Sequence, residues 1–211
     1  MKPGAELRVA AGCVVAALLT GACAPRAPLP DAVTESVALA SDWTQRRAQL
    51  QADVAFSVAG RVAVAAGEQG FSAGLRWLQR DERGEIHLDG PLGIGALAIA
   101  TDGDALRVAT GRGARLEGAA ARAEIERQLG FALPLDALRY WVRGVPSPLS
   151  TAIETTAADA PRLQQLQQDG WTIDFTEYQP DPFAHRPRRL VAQNGVARVR
   201  LVLERWSAAP P

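Results

Sequence analysis

Val54-Ala55-Phe56-Ser57-Val58-Ala59-Gly60-Arg61-Val62-Ala63-Val64 decides how the chain folds. Its bulky apolar side chains, Val54, Phe56, Val58, Val62 and Val64, all fall on even positions, and the odd positions hold alanine, serine and arginine. Neighbouring side chains of a strand point to opposite faces, so this period of two predicts a strand with one buried face. Gly60 takes one place on that apolar face, where a bend or bulge lets a sheet curl. The pattern then propagates along the chain. After a turn at Gly67–Gly70, Phe71, Ala73, Leu75 and Trp77 alternate with Ser72, Gly74 and Arg76. A turn at Asp81–Gly84 leads to Ile86 and Leu88, with His87 on the opposite face. A Gly90-Pro91-Leu92-Gly93 loop comes next, followed by strands at Ile94–Ala100, Ala105–Ala109 and Arg115–Glu117.

Helical spacing interrupts the strands twice. Ser41-Asp42 reads as a cap for a helix from Trp43 to Leu50. Ala119–Leu129 is rich in helix formers and stops at Gly130. A shorter helix starts at Leu133-Pro134, with Leu135, Leu138 and Trp141 on one side, and ends at the Gly144–Pro148 break. Strands return at Arg162–Gln168 and Trp171–Thr176, joined by Asp169-Gly170, and at Leu190–Gln193 and Val196–Trp206, joined by Asn194-Gly195. The strands number ten or eleven, and strand–helix alternation is missing, so a parallel sheet is excluded. The expected fold is mainly β with helices (α+β): a strongly curved antiparallel sheet, or unclosed barrel, covered by its helices.

Composition narrows the function. The 211 residues carry 23 basic and 23 acidic side chains, which gives no blanket attraction to nucleic acid. Lys2 is the sole lysine, His87 and His185 are the sole histidines, and Cys13 and Cys23 are the sole cysteines. That inventory offers no metal cluster by spacing, no nucleotide loop and no nucleophile elbow. No catalytic residue, metal or cofactor is expected. Asp102 and Asp104 sit in an Asp-Gly-Asp turn and read as solvated carboxylates rather than an acid–base pair.

Residues 1–22 have the layout of an export signal. Lys2 and Arg8 flank a basic start, and the apolar run Val9–Leu19 is too short to span a bilayer. Thr20-Gly21-Ala22 then leads into Cys23. Small residues ending on a cysteine resemble a bacterial lipobox, in which that cysteine is lipidated and becomes the mature start. Leu19 lies four residues before Cys23 rather than three, and Gly12-Cys13 is a competing site. An ordinary signal with a chance cysteine is the alternative reading. Residues 23–40, rich in proline and alanine, read as a lipidated N-terminus and flexible tether, and 41–211 as the folded domain.

The order of motifs along the chain is more specific than any one of them. Phe56-x-x-x-Gly60-Arg61 is followed by Phe71-Ser-Ala-Gly-Leu-Arg-Trp77, Gly90-Pro-Leu-Gly93, Leu133-Pro-Leu135, Gly144-Val-Pro146, Gly170-Trp171, Tyr178 and Leu203-x-x-Trp206. This series resembles the LolB family of outer-membrane lipoprotein receptors over essentially the whole mature domain. The resemblance implies an unclosed antiparallel barrel with a helical lid around a hydrophobic cavity. It implies a monomer, lipid-anchored at Cys23 in the inner leaflet of the outer membrane and facing the periplasm. Its partners would be the periplasmic carrier LolA, acylated lipoprotein cargo and outer-membrane phospholipid. By the same resemblance, Leu92, between Pro91 and Gly93, falls on the family's membrane-insertion loop.

The alternating strands supply candidates for an acyl-chain wall: Phe56, Val58, Val62, Phe71, Leu75, Trp77, Ile86, Leu88, Ile173, Phe175, Leu201 and Leu203. Leu133, Leu135, Leu138 and Trp141 are the lid candidates. A sealed core would use the same residues. Two other readings therefore stand beside the receptor: a periplasmic lipid- or glycolipid-binding lipoprotein, and a structural lipoprotein that docks on an envelope machine. The receptor predicts a cavity large enough for acyl chains, and the docking protein a filled core.

Overall fold

The structure, a computed structural model, describes residues 32–52, 55–90, 96–180 and 186–208. In chain order the elements are α1 (Ala32–Ala52), β1 (Phe56–Ala66), β2 (Gln69–Arg80), β3 (Arg83–Asp89), β4 (Leu97–Asp102), β5 (Ala105–Thr110), β6 (Arg115–Glu117), α2 (Gly118–Leu129), α3 (Leu135–Trp141), β7 (Ala152–Thr156), β8 (Leu163–Gln168), β9 (Trp171–Tyr178), β10 (Pro187–Gln193) and β11 (Ala197–Ser207).

The eleven strands form one sheet in the order β6-β5-β4-β3-β2-β1-β11-β10-β9-β8-β7, antiparallel throughout. Two meanders, β1–β6 and β7–β11, are thus stitched together where the first strand meets the last. Strands consecutive in sequence pair with each other within each meander, so neither contains a crossover. The edge strands β6 and β7 do not pair with each other among the described residues, so the curved sheet stays open. The chain between those edges is α2 and α3. It has to travel from one margin to the other, and it does so across the concave face.

The seam between the meanders depends on Gly60. The β1–β11 register runs from Ser57↔Ser207 to Ala66↔Ala197 and shifts between Ala59↔Arg205 and Gly60↔Leu203. Glu204 is the extra residue, a bulge that leaves both Glu204 and Arg205 exposed and returns Trp206 to the buried face. At the shift β11 presses on β1: a Cβ at position 60 would lie 2.0 Å from the Val202 carbonyl oxygen.

Several boundaries differ from the sequence expectation, and one strand is added. The first helix begins at Ala32, so Ser41-Asp42 lies within it and residues 32–40 are helical rather than tether. No proline or glycine interrupts Ala32–Ala52, and alanine, leucine, glutamate and glutamine carry the helix without a sustained apolar period. β7 was not foreseen, because Ala152-Ile-Glu-Thr-Thr156 buries no face fully. β4 starts at Leu97 and β10 at Pro187. The turns fall as expected. Gly130 takes the left-handed conformation, φ 80°, that ends α2.

Candidate functional site

The concave face and the lid enclose an apolar cavity of about 70 Å³. The sheet contributes Val62, Val64, Leu75, Trp77, Ile86, Leu88, Ile99, Trp171, Ile173, Leu190, Ala192, Val199 and Leu201. The crossing segment contributes Leu129, Phe131, Leu133, Pro134, Leu138 and Trp141. Every lining residue is apolar. Ten of the sixteen wall and lid candidates therefore meet at one space: Val62, Leu75, Trp77, Ile86, Leu88, Leu133, Leu138, Trp141, Ile173 and Leu201.

The other six lie elsewhere. Phe56, Val58 and Leu203 are fully buried in a filled end of the half-barrel. There Phe56 meets Trp77 edge-on and Trp206 at a tilt, with ring centroids 5.3 and 5.6 Å away, and the Arg143 guanidinium lies 6.0 Å from its ring centre. Aromatic volume leaves no room for a guest at that end. Phe175 packs against Tyr178 at 6.2 Å. Phe71 is half-buried beside Val64, its register partner, and Leu135 faces a second hollow outside the cavity.

Nine lining residues were not among the candidates. Val64, Val199 and Ile99 follow the period of two and were visible in principle. Leu129 and Phe131 flank the Gly130 stop, and nothing local says they fold back over a sheet. Pro91, Leu92, Gly93, Cys23 and His185 lie outside the described residues. His87 is exposed on β3, and Asp102 is exposed and bonded to Arg83 at 3.2 Å. Among the described residues, no three His, Cys, Asp or Glu side chains gather as a metal set.

The cavity is much smaller than the space expected for acyl chains. Ligand sites usually hold about 300–1,000 Å³, and even a benzene-sized engineered void is about 150 Å³. The lid's own rings take up part of that space: Phe131 packs edge-on to Trp171 with centroids 5.4 Å apart, and Trp141 lies tilted against the same ring at 6.3 Å.

Among the described residues, Gln168 gathers several of the polar bonds that hold the lid. Gln168, 3% exposed, accepts from Trp141 Nε1 at 2.7 Å and from the Ser147 amide at 2.9 Å. Its Nε2 donates to the carbonyls of Ser147 and Ser150 at 2.8 and 2.9 Å. One side chain thus satisfies four groups of the lid and the strap behind it. On the far side, Arg139 Nη1 donates to the Asp81 carbonyl at 3.3 Å. α1 braces the edge strand instead: Trp43 Nε1 and Arg47 donate to Glu154 at 2.9 and 2.6 Å, and Gln51 Nε2 donates to the Pro146 carbonyl at 2.9 Å.

Tyr178 seals the interior beside β8, its hydroxyl donating to the Leu163 carbonyl at 2.6 Å. Burial pushes its pKa well above the ordinary tyrosine value; the nearby Arg46 and Arg162 offset only part of that. The fold favours the neutral phenol, so this contribution is intact below pH 10 and declines as pH rises past 10, where the unfolded chain loses its proton first. Tyr178→Phe is expected to lower stability by about 1 kcal/mol at pH 7. It is also expected to flatten the alkaline loss, which otherwise approaches about 1.4 kcal/mol per pH unit. Urea titrations at pH 7, 10 and 11 check both signs.

Comparison with known proteins adds independent findings. The family model described as "Outer membrane lipoprotein LolB" matches residues 54–206. A protein of Chromohalobacter salexigens named "Outer-membrane lipoprotein LolB" is 38% identical over 203 residues, covering 96% of this chain and 91% of its own length. A crystal structure of a DUF1329 family protein from Desulfovibrio piger is alike in fold, with a TM-score of 0.53 at 8% identity over 82% of this chain and 93% of its own. A domain from Vibrio parahaemolyticus described as a "putative outer membrane lipoprotein-sorting protein domain" superposes with a TM-score of 0.50 at 9% identity, over 79% of this chain and 91% of its own.

Proposed function

The chain belongs to the LolB family of outer-membrane lipoproteins, and from that premise we propose that it accepts acylated lipoproteins from the periplasmic carrier LolA into its apolar interior and releases them into the inner leaflet of the outer membrane, with no nucleotide hydrolysis. The observation that supports this most directly is the wholly apolar space between the concave sheet and a separate helical lid. Cys23 is the lipid anchor in this reading, and the chain acts as a monomer facing the periplasm.

The physics of the step is simple. Each exposed methylene costs about 0.8 kcal/mol, so one 16-carbon chain costs roughly 12 kcal/mol in water. Cargo cannot dissolve between partners and has to pass directly from one greasy interior to another. Only the difference between the two affinities drives that passage. About 3 kcal/mol of difference shifts the balance more than a hundredfold. The lid rings stacked in the concavity lower the net affinity for cargo, because they must be displaced, and the same rings refill the space when cargo leaves.

Mixing the chain with lipoprotein-loaded carrier tests the acceptance step: cargo should move to this chain without ATP. Liposomes then test delivery. Leu92→Glu is expected to accept cargo normally and to deliver at least tenfold less, because a carboxylate at a membrane-inserting tip opposes entry into hydrocarbon. Normal delivery by that variant would remove Leu92 from the mechanism. The smallness of the cavity favours one rival, a docking lipoprotein with a filled core. That reading predicts that cargo stays with the carrier.

A further inference from the structure

The β10–β11 hairpin turns at Asn194-Gly195, the β1–β2 hairpin at Gly67 and the β8–β9 hairpin at Asp169-Gly170. The register puts all three turns at one end of the sheet, since Ala66 faces both Gln69 and Ala197, and Gln193 faces Thr172. Two open grooves run over the outer face at that end. One has a floor of Ala63, Ala65, Gly70 and Ser72, walled by Arg198 and Arg200. The other passes Gly67, Thr172, Gln193, Asn194 and Val196, and the two meet at Ala65 and Arg198.

We infer that these grooves seat the phosphate headgroups of anionic phospholipid and so fix which face the chain turns to the membrane leaflet. Charge carries the argument furthest. Neither groove is lined by a carboxylate, and both are lined by arginine. The Arg198 and Arg200 side chains are exposed and make no ion pair or hydrogen bond among the described residues. Elsewhere on the same face the cations are matched. Arg61 meets Glu204 at 2.6 Å, Arg76 meets Asp89 at 2.8 Å and Arg189 meets Glu177 at 2.7 Å. The acidic side chains of the turns, Glu68 and Asp169, are exposed and outside both linings. Asp174, beyond Val191 in the row of Arg200, is held by Gln165 at 2.7 Å. A guanidinium left free in this way suits phosphate, whose oxygens take its N–H groups in pairs. Ser72, Thr172, Gln193 and Asn194 add neutral donors along the track.

Val196 is the independent observation. It is 63% exposed at the tip of the β10–β11 hairpin, next to the free cations. An apolar tip beside arginines matches the boundary between headgroups and hydrocarbon. A leaflet accounts for both features at once, with phosphate at the arginines and acyl chain beyond them. A free phosphate accounts for neither the length of the track nor the exposed valine. The inference rests on the receptor reading, in which the chain works at a membrane surface. β3 ends at Asp89 and β4 begins at Leu97 toward the same end of the sheet, so the segment that carries Leu92 leaves from that end too.

Full-length chain carrying Cys23→Ser, so that no lipid holds it, is titrated with vesicles of phosphatidylcholine alone or with phosphatidylglycerol as the minor component. Flotation gives the bound fraction. The parent should bind the phosphatidylglycerol vesicles at least tenfold tighter, and added salt should erase most of that difference. Arg198→Gln/Arg200→Gln should lower this binding at least tenfold, and Arg198→Lys/Arg200→Lys should keep it within threefold. Arg107→Gln/Arg205→Gln removes the same charge from exposed positions toward the other end of the sheet and should stay within twofold. A parent without preference for phosphatidylglycerol overturns the inference. So does an Arg198→Gln/Arg200→Gln chain that binds like the parent, or a control pair that loses as much. If that first pair keeps its vesicle binding but no longer accepts cargo from loaded carrier, the grooves belong to an acidic protein and the membrane assignment falls. A parent that binds these vesicles and takes no carrier-borne cargo overturns the receptor reading and leaves the headgroup site standing.

Discussion

Gly60→Val is expected to leave little folded protein, and Gly60→Ala to lower stability by about 3 kcal/mol or more. The cause is distance rather than propensity. A Cβ at position 60 lies 2.0 Å from the Val202 carbonyl oxygen and 3.0 Å from the Leu203 Cα, both backbone atoms of β11. No rotamer change relieves a clash with main chain, so the strands must part. They are the strands that join the two meanders, since among the described residues β1–β11 is the one ladder linking residues before α2 to residues after α3. Small domains hold only about 5–15 kcal/mol in total, so opening that seam threatens the whole. Gly67 gives the contrast. It has φ 56° and nothing within 4 Å of its added Cβ. Gly67→Asn, which tolerates that conformation, should cost well under 1 kcal/mol. Urea midpoints measure both: a fall of about 1 M or more for Gly60→Ala against almost no change for Gly67→Asn. Equal midpoints would mean that β11 yields at the bulge and that the seam is softer than its geometry.

That glycine illustrates what the sequence made legible. Its place on the apolar face of Phe56–Val64 announced a bulge, and the register shift lies there. The Leu203-x-x-Trp206 spacing breaks the period of two by one residue, which is the same bulge seen from β11. Period-two patterns located most of the strands, because those strands bury one face and polar or small residues cover the other; β6 and β8 lack that alternation, and the Asp169-Gly170 turn is what marked β8. β7 escaped because Ile153 and Thr155 point to solvent and Glu154 is held by Trp43 and Arg47, so no apolar face exists to be read. The site was legible in kind but not in extent. Alternation identifies which side chains face inward and says nothing about which inward positions are filled by neighbours from afar. Phe56, Val58 and Leu203 face inward as firmly as Leu75, yet Trp206 and Arg143 close their end. Whether an interior is hollow depends on how far α2 and α3 sink into it, and that is set by contacts between residues dozens of positions apart.

Gln168→Leu should be the most damaging substitution among the groups of the sheet that hold the lid. Leucine fills similar volume, so a cavity is not the issue. The variant strands the Trp141 indole N–H, the Ser147 amide and the carbonyls of Ser147 and Ser150 in one buried place. Each such group costs about 1–3 kcal/mol when unsatisfied, and even with partial rescue by water the total loss should be about 3–5 kcal/mol. Gln168→Glu separates the two halves of the hub. Its carboxylate still accepts from Trp141 and Ser147, whereas the two carbonyls lose their donor and face negative charge instead. If the Trp141 bond is what seats α3, Gln168→Glu keeps the lid down while loosening the 147–150 strap. Gln168→Leu frees both. Dye binding to exposed apolar surface should then rise strongly in Gln168→Leu and weakly in Gln168→Glu, with thermal midpoints falling in both. A Gln168→Leu chain that melts like the parent would show that Phe131 and Trp141, packed edge-on and tilted against Trp171, seat the lid by ring contact alone. The lid would then lift as an apolar plug rather than swing on a hydrogen-bonded hinge.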